Sequence, residues 1–305
     1  MVKENTRRPK SGWRQLEFST LICNPSPLCG IIFFAILSIS GLILSSVILA
    51  HSYKIFEKSE DITNQKAEFS ISSADLDDIE GDLFIYLEYL DYYQNHRIYL
   101  KSKSKIQLSG EEDSSISTDC EPLYDKDDLK DDLKGKISTF DDKVILPCGL
   151  MPASYIKTSI EAKLNGKVLD IDDSDIAWKT DDSKKYENQS NAYLDISDEH
   201  FKVWMRNSPT SRLNKLFGKI EENDLKVGKL RFEVTQGENI LGYEPDMKVK
   251  ISTNNRLGGK NNVLGWTFLV VAVLSLIWSI VFMIIAKYHK VPTFGEILEK
   301  RRRGG

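Results

Sequence analysis

The side chains that most often perform chemistry do not form a recognisable catalytic motif in this chain. The four histidines are far apart in the sequence, at His51, His96, His200 and His289. The chain has neither the HExxH helix of a zinc protease nor the GxSxG turn of a serine hydrolase. These absences argue against zinc-dependent hydrolysis and against acyl transfer by an activated serine.

Two stretches resemble ligand sites in composition but lack the spacing of such sites. Four carboxylates that could bind calcium are Asp170, Asp172, Asp173 and Asp175. An EF-hand loop also needs a central glycine and a closing glutamate, which are missing, so we interpret this stretch as a solvated turn. Gly258-Gly259-Lys260 lacks the spacing and the hydroxyl residue of a nucleotide phosphate loop. We therefore expect no metal and no cofactor.

Four cysteines and one glycosylation sequon are the remaining sites of covalent chemistry. Cys120 and Cys148 lie in the middle of the chain and would form a disulfide in an oxidising compartment. Cys23 and Cys29 precede an apolar run, where they would be either reduced thiols or palmitoylated. Asn188 begins an Asn-Gln-Ser sequon, which is glycosylated only if its segment faces the lumen.

Two apolar runs decide on which side of a membrane these sites lie. Ile31 to Ala50 has 20 residues without a charge, and Leu264 to Ala286 has 23. Because about 20 helical residues cross a hydrocarbon core about 30 Å thick, both runs predict membrane-spanning helices. The first run exceeds the apolar part of a signal peptide, and no clear cleavage site follows it, which favours a retained anchor.

The distribution of charge orients the two spans. Residues 1–51 carry five Lys or Arg against two Asp or Glu, and residues 264–305 carry six against two. The segment between them has a net charge of −11. Since basic flanks remain in the cytoplasm, both termini are predicted to be cytoplasmic. A nucleic-acid binder would need a basic folded domain, so the acidic middle argues against that class.

This topology divides the chain into five parts. They are a cytoplasmic tail (1–30), a first span (31–51), a lumenal or extracellular ectodomain (52–263), a second span (264–286) and a second cytoplasmic tail (287–305). Each span also has small residues on one face, so we expect these faces to pack on other helices. The small residues are Gly41 and Ser45 in the first span and Ser275 and Ser279 in the second. No ionisable residue lies within either apolar run, which argues against an ion path through this chain alone.

The ectodomain shows the alternation of half-buried antiparallel strands. Apolar residues occupy every second position in three runs, 83–89, 230–234 and 247–251. Asn165-Gly166 separates two further runs, 155–164 and 167–171, and favours a tight type I′ hairpin. The predicted class is therefore a membrane protein of α+β type. Two transmembrane helices enclose a β-rich, sandwich-like ectodomain with one or two short helices.

One ectodomain helix is predicted over residues 213–220. Leu213, Leu216, Phe217 and Ile220 follow the i, i+3, i+4, i+7 spacing of an apolar helix face. Pro209 and Thr210 precede this run and suit a helix start.

Several strings of the chain resemble the sequence elements of one family, in the same order along the chain. The first resembles YQNHRRYVKS and runs from Tyr93, Gln94, Asn95, His96 and Arg97 to Ser102. The next two, Cys120-Glu121-Pro122 and Pro147-Cys148-Gly149, resemble a paired CEP and PCG. The last three resemble IAWxTD, F-x-VWMR and GGKN, and contain Trp178, then Trp204 and Arg206, then Gly258, Gly259, Lys260 and Asn261. With two spans, this pattern resembles the ligand-effect-modulator family, the β-subunits of type IV P-type ATPases that flip phospholipids.

The resemblance implies a non-catalytic accessory subunit in a one-to-one complex with such an ATPase, at membrane lipid. In that family the subunit supports the folding of the ATPase, its export from the endoplasmic reticulum and its activity. The complex would lie in the endoplasmic reticulum, the Golgi or endosomes, or the plasma membrane. The strings then serve the ectodomain core or the partner contact. Two alternatives remain from the residues alone, a two-span channel subunit and a membrane-anchored lumenal enzyme.

The chain also departs from the family pattern at two places. Residues 52–90 contain no cysteine, whereas many members have a cysteine-rich patch after the first span. Leu150-Met151-Pro152-Ala153 follows Gly149, where the family usually has an Asn-rich string. Only the Cys120–Cys148 bridge then remains, and the early ectodomain is expected to be looser or to pack differently from that of other members.

Overall fold

The structure is a computed structural model that describes residues 27–111, 117–129, 144–182, 185–189, 192–237 and 240–288, with Gly295 and Arg303. These residues form two compact units. One is helical and contains the chain up to Leu49 and from Asn261 onward, and the other is the ectodomain, from Ala50 to Lys260. Cys23 and most of the tails predicted over 1–30 and 287–305 lie outside the described residues.

The described α-helices comprise two long helices and a set of short ones. They are α1 (Pro27–Tyr53), α2 (Ser73–Asp78), α3 (Arg97–Lys101), α4 (Lys105–Leu108), α5 (Ser117–Cys120), α6 (Leu150–Ala153), α7 (Lys179–Asp182), α8 (Glu199–Trp204) and α9 (Asn262–Tyr288). Single turns of 3₁₀ helix occur at Lys126–Asp128 and Glu222–Asp224. The strands are β1 (Glu57–Asp61), β2 (Lys66–Ile71), β3 (Leu83–Tyr89), β4 (Thr158–Leu164), β5 (Lys167–Leu169), β6 (Leu213–Ile220), β7 (Gly228–Gln236) and β8 (Met247–Ser252).

The two long helices, α1 and α9, correspond to the predicted spans. Each has 27 residues and is long and apolar enough to cross a membrane. Both extend a few residues beyond the predicted bounds, 31–51 and 264–286, and α9 includes the charged residue Lys287 in its last turn. The described chain therefore contains two candidate membrane-spanning helices around one ectodomain.

The small residues of α1 and α9 face each other. A Cβ placed on Gly41 would lie 3.0 Å from the Cβ of Ala272, so a larger residue here would push the two helices apart. The hydroxyl of Ser45 is buried and donates to the carbonyl oxygen of Gly265 at 2.9 Å. Sequence alone predicted packing on other helices, and the structure places this face on the second span of the same chain.

The same arrangement continues along the pair. Ser279 donates from its hydroxyl to the carbonyl oxygen of Ile31 at 3.3 Å, and Ser275 is buried beside Ala272 on the same face of α9. Phe34 and Phe282 also meet between the two helices, with ring centroids 5.7 Å apart, whereas many other large apolar side chains of both helices are exposed. The outer surface of the helical unit is consequently apolar, which suits lipid or partner helices.

The ectodomain consists of two four-stranded antiparallel sheets, with strand orders β1-β8-β3-β6 and β2-β7-β4-β5. One buried core contains residues of both sheets: Leu83 and Ile85 come from the first, and Phe69 and Phe232 come from the second. The last two rings meet edge to face, with centroids 5.7 Å apart. The predicted fold class, two spans and a sandwich-like antiparallel ectodomain, is confirmed.

The predicted strands and hairpin are present. The three alternating runs form β3, β7 and β8. Asn165 and Gly166 connect β4 to β5 with φ angles of 51° and 86°, the left-handed values that a type I′ turn requires at both central positions. Asn165 also accepts from the amide of Lys229 at 3.0 Å, which fastens the turn to β7.

The helix predicted over 213–220 is wrong, because this segment is strand β6. A bulge explains the misleading spacing. Ile85 of β3 pairs with Gly218, but its neighbour Tyr86 pairs with Leu216, so Phe217 is an extra residue. The bulge reverses the alternation, and the buried positions are Leu213, Lys215, Phe217, Gly218 and Ile220. Leu213, Phe217 and Ile220 are buried on this strand, and together with the half-buried Leu216 they happen to match the spacing of a helix face.

We expect Ser45→Leu to destabilise the helix pair and Ser46→Leu to leave it nearly unchanged. Both serines lie in α1, but Ser45 is buried against Gly265, whereas Ser46 is exposed and donates to Ile43 of its own helix. Overpacking a closely packed seam costs about 1–3 kcal/mol. The measurement is the thermal midpoint of the full chain in lipid nanodiscs. Equal midpoints for the two variants would contradict the seam.

Candidate functional site

The disulfide is the centre of the first of two clusters that unite the family strings. Cys120 and Cys148 are bonded, as predicted, with Cα atoms 5.6 Å apart, and both are completely buried. The hydroxyl of Ser102 donates to the carbonyl oxygen of Cys120 and accepts from the amide of Leu150. Gln107 accepts from the amide of Cys148 at 2.8 Å. The CEP and PCG strings are thus attached to the segment that ends the YQNHR string.

Gly149 is required where these strings meet. Its φ is +106°, and a Cβ at this position would overlap the carbonyl oxygen of Ser102. A side chain would therefore meet both backbone strain and a steric clash. The carbonyl oxygen of Ser102 also accepts from the amide of Met151 at 3.2 Å, so the contact is made by backbone on both sides.

A buried lysine is the centre of the second cluster. The ammonium of Lys215 donates to the carbonyl oxygens of Val203 at 3.3 Å and Trp204 at 3.0 Å, to that of Arg206, and to Oε1 of Gln94 at 3.0 Å. These carbonyls belong to the last turn of α8 and the residues after it. Burial lowers the pKa of Lys215 to about 7. The lysine therefore joins β6, the end of α8 and the YQNHR string through one group.

Aromatic side chains surround this lysine network. The indole N–H of Trp204 donates to the hydroxyl of Ser154 at 3.1 Å, and that hydroxyl lies 2.8 Å from the phenol oxygen of Tyr99. Tyr89 packs edge to face on Trp204 with centroids 5.2 Å apart. Burial is the main cause that raises the pKa of Tyr89, to about 12, and of Tyr99. The polar ends of these side chains are paired inside the core, which indicates a structural role for Trp204 and Gln94.

An exposed aromatic and cationic stack, the Trp178–Arg206 surface, adjoins the second cluster. It comprises Trp178, Arg206, Asp181 and Lys185. The guanidinium carbon of Arg206 lies 3.3 Å from the centre of the Trp178 ring, and Arg206 Nε donates to Asp181 at 2.9 Å. Burial by itself raises the pKa of Asp181, but hydrogen bonds from Lys185 and Arg206 outweigh it and lower that pKa. The Trp178 side chain nevertheless remains 63% exposed.

This surface forms one wall of an open groove of about 400 Å³. Tyr86 and Asn214 from the first sheet also line the groove, as does Arg212, whose side chain is 73% exposed. Ser208 and Thr210 brace the loop between Arg206 and Arg212 by accepting and donating hydrogen bonds within it. The groove is therefore a preorganised surface of the aromatic and arginine residues that dominate protein interfaces.

The other residues of the YQNHR string divide between the core and the surface. Gln94 is fully buried, while Tyr93, Asn95, His96 and Arg97 are exposed. Asn95 donates from its amide nitrogen to the carbonyl oxygen of Pro209 at 2.9 Å, which ties this segment to the braced loop. Tyr93, His96 and Arg97 stay candidates for partner contact.

The GGKN string has a local structural use at both of its ends. Gly258 has a φ of +96° and closes a tight turn by donating from its amide to Asn255 at 2.9 Å. Asn261 accepts from the amide of Leu264 at 3.1 Å and so caps the start of α9. Gly259 and Lys260 between them are exposed.

His200 fastens the other end of α8. Its ring nitrogens lie 3.4 Å from a carboxylate oxygen of Asp198 and 3.0 Å from the carbonyl oxygen of Phe217 at the bulge. Asp198 also caps α8 and accepts from the hydroxyl of Tyr155 at 3.2 Å. Burial by itself lowers the pKa of His200, but Asp198 and the Phe217 carbonyl outweigh it and raise that pKa. Two acceptors facing both nitrogens favour the protonated ring.

The remaining predicted sites lie elsewhere on the ectodomain. Asp172 accepts from the amide of Ser174 and pairs with Lys219, and within the described residues no three His, Cys, Asp or Glu side chains converge as metal ligands. Asn188 is exposed in a segment that Gln189 attaches to Gln107, and Ser190 of the sequon lies outside the described residues. Its glycosylation stays a prediction.

Sequence reasoning missed Lys215, Asp198 and Ser154, which hold the second cluster together. Lys215 was hidden by the helical reading of residues 213–220. The alternation of Leu213, Lys215 and Phe217 would have placed its side chain on the buried face, and this was the available signal. Ser154 had no signal, because its partners come from distant parts of the chain.

Comparison with known proteins gives a consistent set of relatives. The family model described as LEM3 (ligand-effect modulator 3) family / CDC50 family matches residues 46–291. ALA-interacting subunit 3 of Arabidopsis thaliana is 29% identical over 221 residues, 67% of this chain and 59% of that protein. Cell cycle control protein 50A of Rattus norvegicus is 26% identical over 271 residues, 74% of this chain and 78% of that protein.

A yeast relative has a more explicit name. Phospholipid-transporting ATPase accessory subunit CRF1 of Saccharomyces cerevisiae is 27% identical over 241 residues, 70% of this chain and 58% of that protein. The chain thus matches about three fifths of the length of the plant and yeast relatives. The matched part covers the ectodomain and both clusters described above.

We expect the double variant Cys120→Ser/Cys148→Ser to lose about 2–5 kcal/mol of unfolding free energy, the usual contribution of a native disulfide in a small oxidised domain. The bridge closes a separation of 28 residues and anchors the first cluster. The control is Cys29→Ser, which changes an exposed residue of α1. Denaturant titration of the full chain in detergent measures the difference. Equal losses in variant and control would contradict the role of the bridge.

We expect the stability difference between wild type and His200→Gln to be largest near pH 6 and to shrink as the pH rises. The folded state raises the pKa of His200, so its contribution is complete below the unfolded value of about 6.5 and is lost as the pH rises through the folded value. The difference is on the order of 1 kcal/mol, as for a hydrogen bond to a charged group. Unfolding between pH 5.5 and 8 measures it, with exposed His96→Gln as the control. A difference that grows with pH would refute the assignment.

Proposed function

Because the chain belongs to the LEM3/CDC50 family, we propose that it is the accessory, non-catalytic subunit of a phospholipid-translocating type IV P-type ATPase. The observation that carries this proposal is the family match over residues 46–291, which includes the ectodomain and the whole of the second span. The name of the yeast relative, an accessory subunit of a phospholipid-transporting ATPase, supports the same role. The catalytic cycle then belongs to the ATPase, with which this chain forms a one-to-one complex.

The buried polar groups of the ectodomain bond to other parts of the same domain, which supports a scaffold role. The buried titratable groups of the second cluster serve to hold α8: Lys215 binds carbonyl oxygens at its end, and His200 with Asp198 holds its start. Groups in such internal pairs are not presented to a substrate. A protein that stabilises a partner needs a rigid surface, and these internal bonds supply that rigidity.

The Trp178–Arg206 surface is the part of the ectodomain that we assign to partner contact. Exposing a tryptophan gives no stability to the isolated domain, and here Arg206 stacks on the ring while Asp181 holds the guanidinium in place. Trp, Tyr and Arg carry most of the binding energy at protein interfaces, and the adjoining groove has Tyr86 and Arg212 as well. Tyr93, His96 and Arg97 would extend the contact.

The helical unit would contribute through its outer faces. The small residues of α1 and α9 are already packed on each other, so the exposed apolar side chains are the ones available to partner helices and lipid. Trp266 and Trp278 of α9 are each about half exposed, and their size suits helix contacts in a membrane.

The proposal has a cellular part that follows from the family and the charge pattern. Both termini would be cytoplasmic and the ectodomain lumenal or extracellular, because the basic residues flank the outer ends of the spans. In that orientation the Cys120–Cys148 bridge forms in an oxidising compartment. The subunit would support the folding of the ATPase, its export from the endoplasmic reticulum and its lipid transport.

Purification of the tagged full chain in mild detergent tests both parts of the proposal. We expect a type IV P-type ATPase to copurify in equal amount and to hydrolyse ATP in response to phospholipid only with this chain present. Trp178→Ala should reduce the copurified ATPase about 30-fold or more, which is the effect of losing a hot spot of about 2 kcal/mol. Val168→Ala, at another exposed apolar residue, is the matched control.

The accessory role and the contact surface can be refuted independently of each other. If no ATPase copurifies with wild type, and ATP hydrolysis is the same without this chain, the accessory role is wrong. If the ATPase copurifies equally with Trp178→Ala and wild type, the accessory role stands and the contact surface is wrong.

A further inference from the structure

The acceptors around Lys215 select one protonation state. Four oxygen atoms approach its Nζ, three of them backbone carbonyls and one the amide oxygen of Gln94. An ammonium has three N–H donors and no lone pair, whereas a neutral amine has two donors and a lone pair that would point at an oxygen. The Nζ also lies 5.5 Å from the centre of the Trp204 ring, a distance at which an aromatic face favours a cation. The pocket is therefore shaped for the charged form.

The carbonyl oxygens that accept from Lys215 belong to the chain segment that ends at Arg206, a residue of the Trp178–Arg206 surface. One of them is the carbonyl of Arg206 itself, and the Arg206 guanidinium is the group stacked on Trp178. Gln94 couples the same ammonium to the amide of Ser208, at the start of the braced loop. Loss of the charge would release both ends of the segment that carries Arg206.

We propose that Lys215, in its charged form, is the positioning residue of the Trp178–Arg206 surface, so that the surface is assembled at acidic pH and loosens when the lysine loses its proton. Only one part of this proposal rests on the proposed function, namely that the Trp178–Arg206 surface binds a partner. The positioning itself is a property of this chain and can be measured without a partner.

An experiment must distinguish the titration of Lys215 from that of the titratable groups on the elements around it. They are Tyr86 and Tyr89 of β3, Tyr99 of α3, Tyr155 before β4, His200 of α8 and Arg206 after α8. Burial raises the pKa of each of the four tyrosines, so they stay neutral near pH 7. His200 lines the same small cavity of about 20 Å³ as Lys215, and its contacts with Asp198 and the Phe217 carbonyl raise its pKa. The His200→Gln background removes that second titration.

Hydrogen exchange of the full chain in nanodiscs between pH 6 and 9, corrected for the intrinsic rate, tests the positioning. We expect residues 203–212 of wild type to lose at least tenfold protection over this range, while β7 does not change. The same loss is expected in His200→Gln. Lys215→Met should exchange fast at every pH, and Lys219→Met, a change on the same strand at a lysine paired with Asp82 and Asp172, should behave as wild type.

A pH-independent wild-type profile, or wild-type protection in Lys215→Met, overturns the proposal. If Lys215→Met does not fold, the profiles of wild type and His200→Gln decide alone. Lys215→Arg, which keeps a charge and donors, should remove the pH dependence while retaining protection.

Copurification at pH 6 then tests whether the positioning of the Trp178–Arg206 surface by Lys215 is needed to bind the ATPase. Lys215→Met should retain at least tenfold less ATPase than Lys219→Met, and equal retention overturns the link to docking. Absence of the ATPase from the wild-type preparation overturns the proposed function, while the exchange experiment still decides the role of Lys215.

Discussion

Burial of the Lys215 ammonium is the constraint on which the polar part of the ectodomain depends. A charge can leave water only if its donors find acceptors, and here the acceptors come from the end of α8 and from Gln94. One strand, one short helix and one distant segment must therefore be in register before the lysine can be buried. A six-residue helix has little stability of its own, so these bonds and those of His200 keep α8 in place.

A different constraint governs the helical unit. In lipid the hydrophobic effect does not drive helices together, so close packing must hold α1 and α9 to each other. Gly41 and Ser45 supply that closeness, since both allow the α9 backbone to approach and Ser45 adds a hydrogen bond to Gly265. In each unit, therefore, these buried groups pack against residues of the same unit. What is left exposed, large apolar side chains on the helices and Trp178 on the ectodomain, is suited to a partner.

The features predicted correctly have local signals. The hairpin at Asn165-Gly166 follows from the left-handed turn that these two residues adopt readily, and β3, β7 and β8 follow from strict alternation. The disulfide followed from two cysteines in the segment that is predicted to face an oxidising compartment. The helix predicted over 213–220 failed because an extra residue at Phe217 breaks the alternation, and only the pairing with β3 reveals that residue. Because residues 213–220 were predicted as a helix, the buried position of Lys215 on strand β6 was not predicted either.

The sequence by itself determined the two spans, the sheet class and the family, because length without charge, period-two alternation and ordered motifs are properties of neighbouring residues. Only the tertiary structure decided which motif residues are buried and which remain exposed. Gln94 lies in the core beside exposed Tyr93, and its bond to Lys215 joins residues 121 positions apart. Such a contact has no signature at either residue, since the free energy of burying each polar group depends on a partner that the folded chain alone brings within reach.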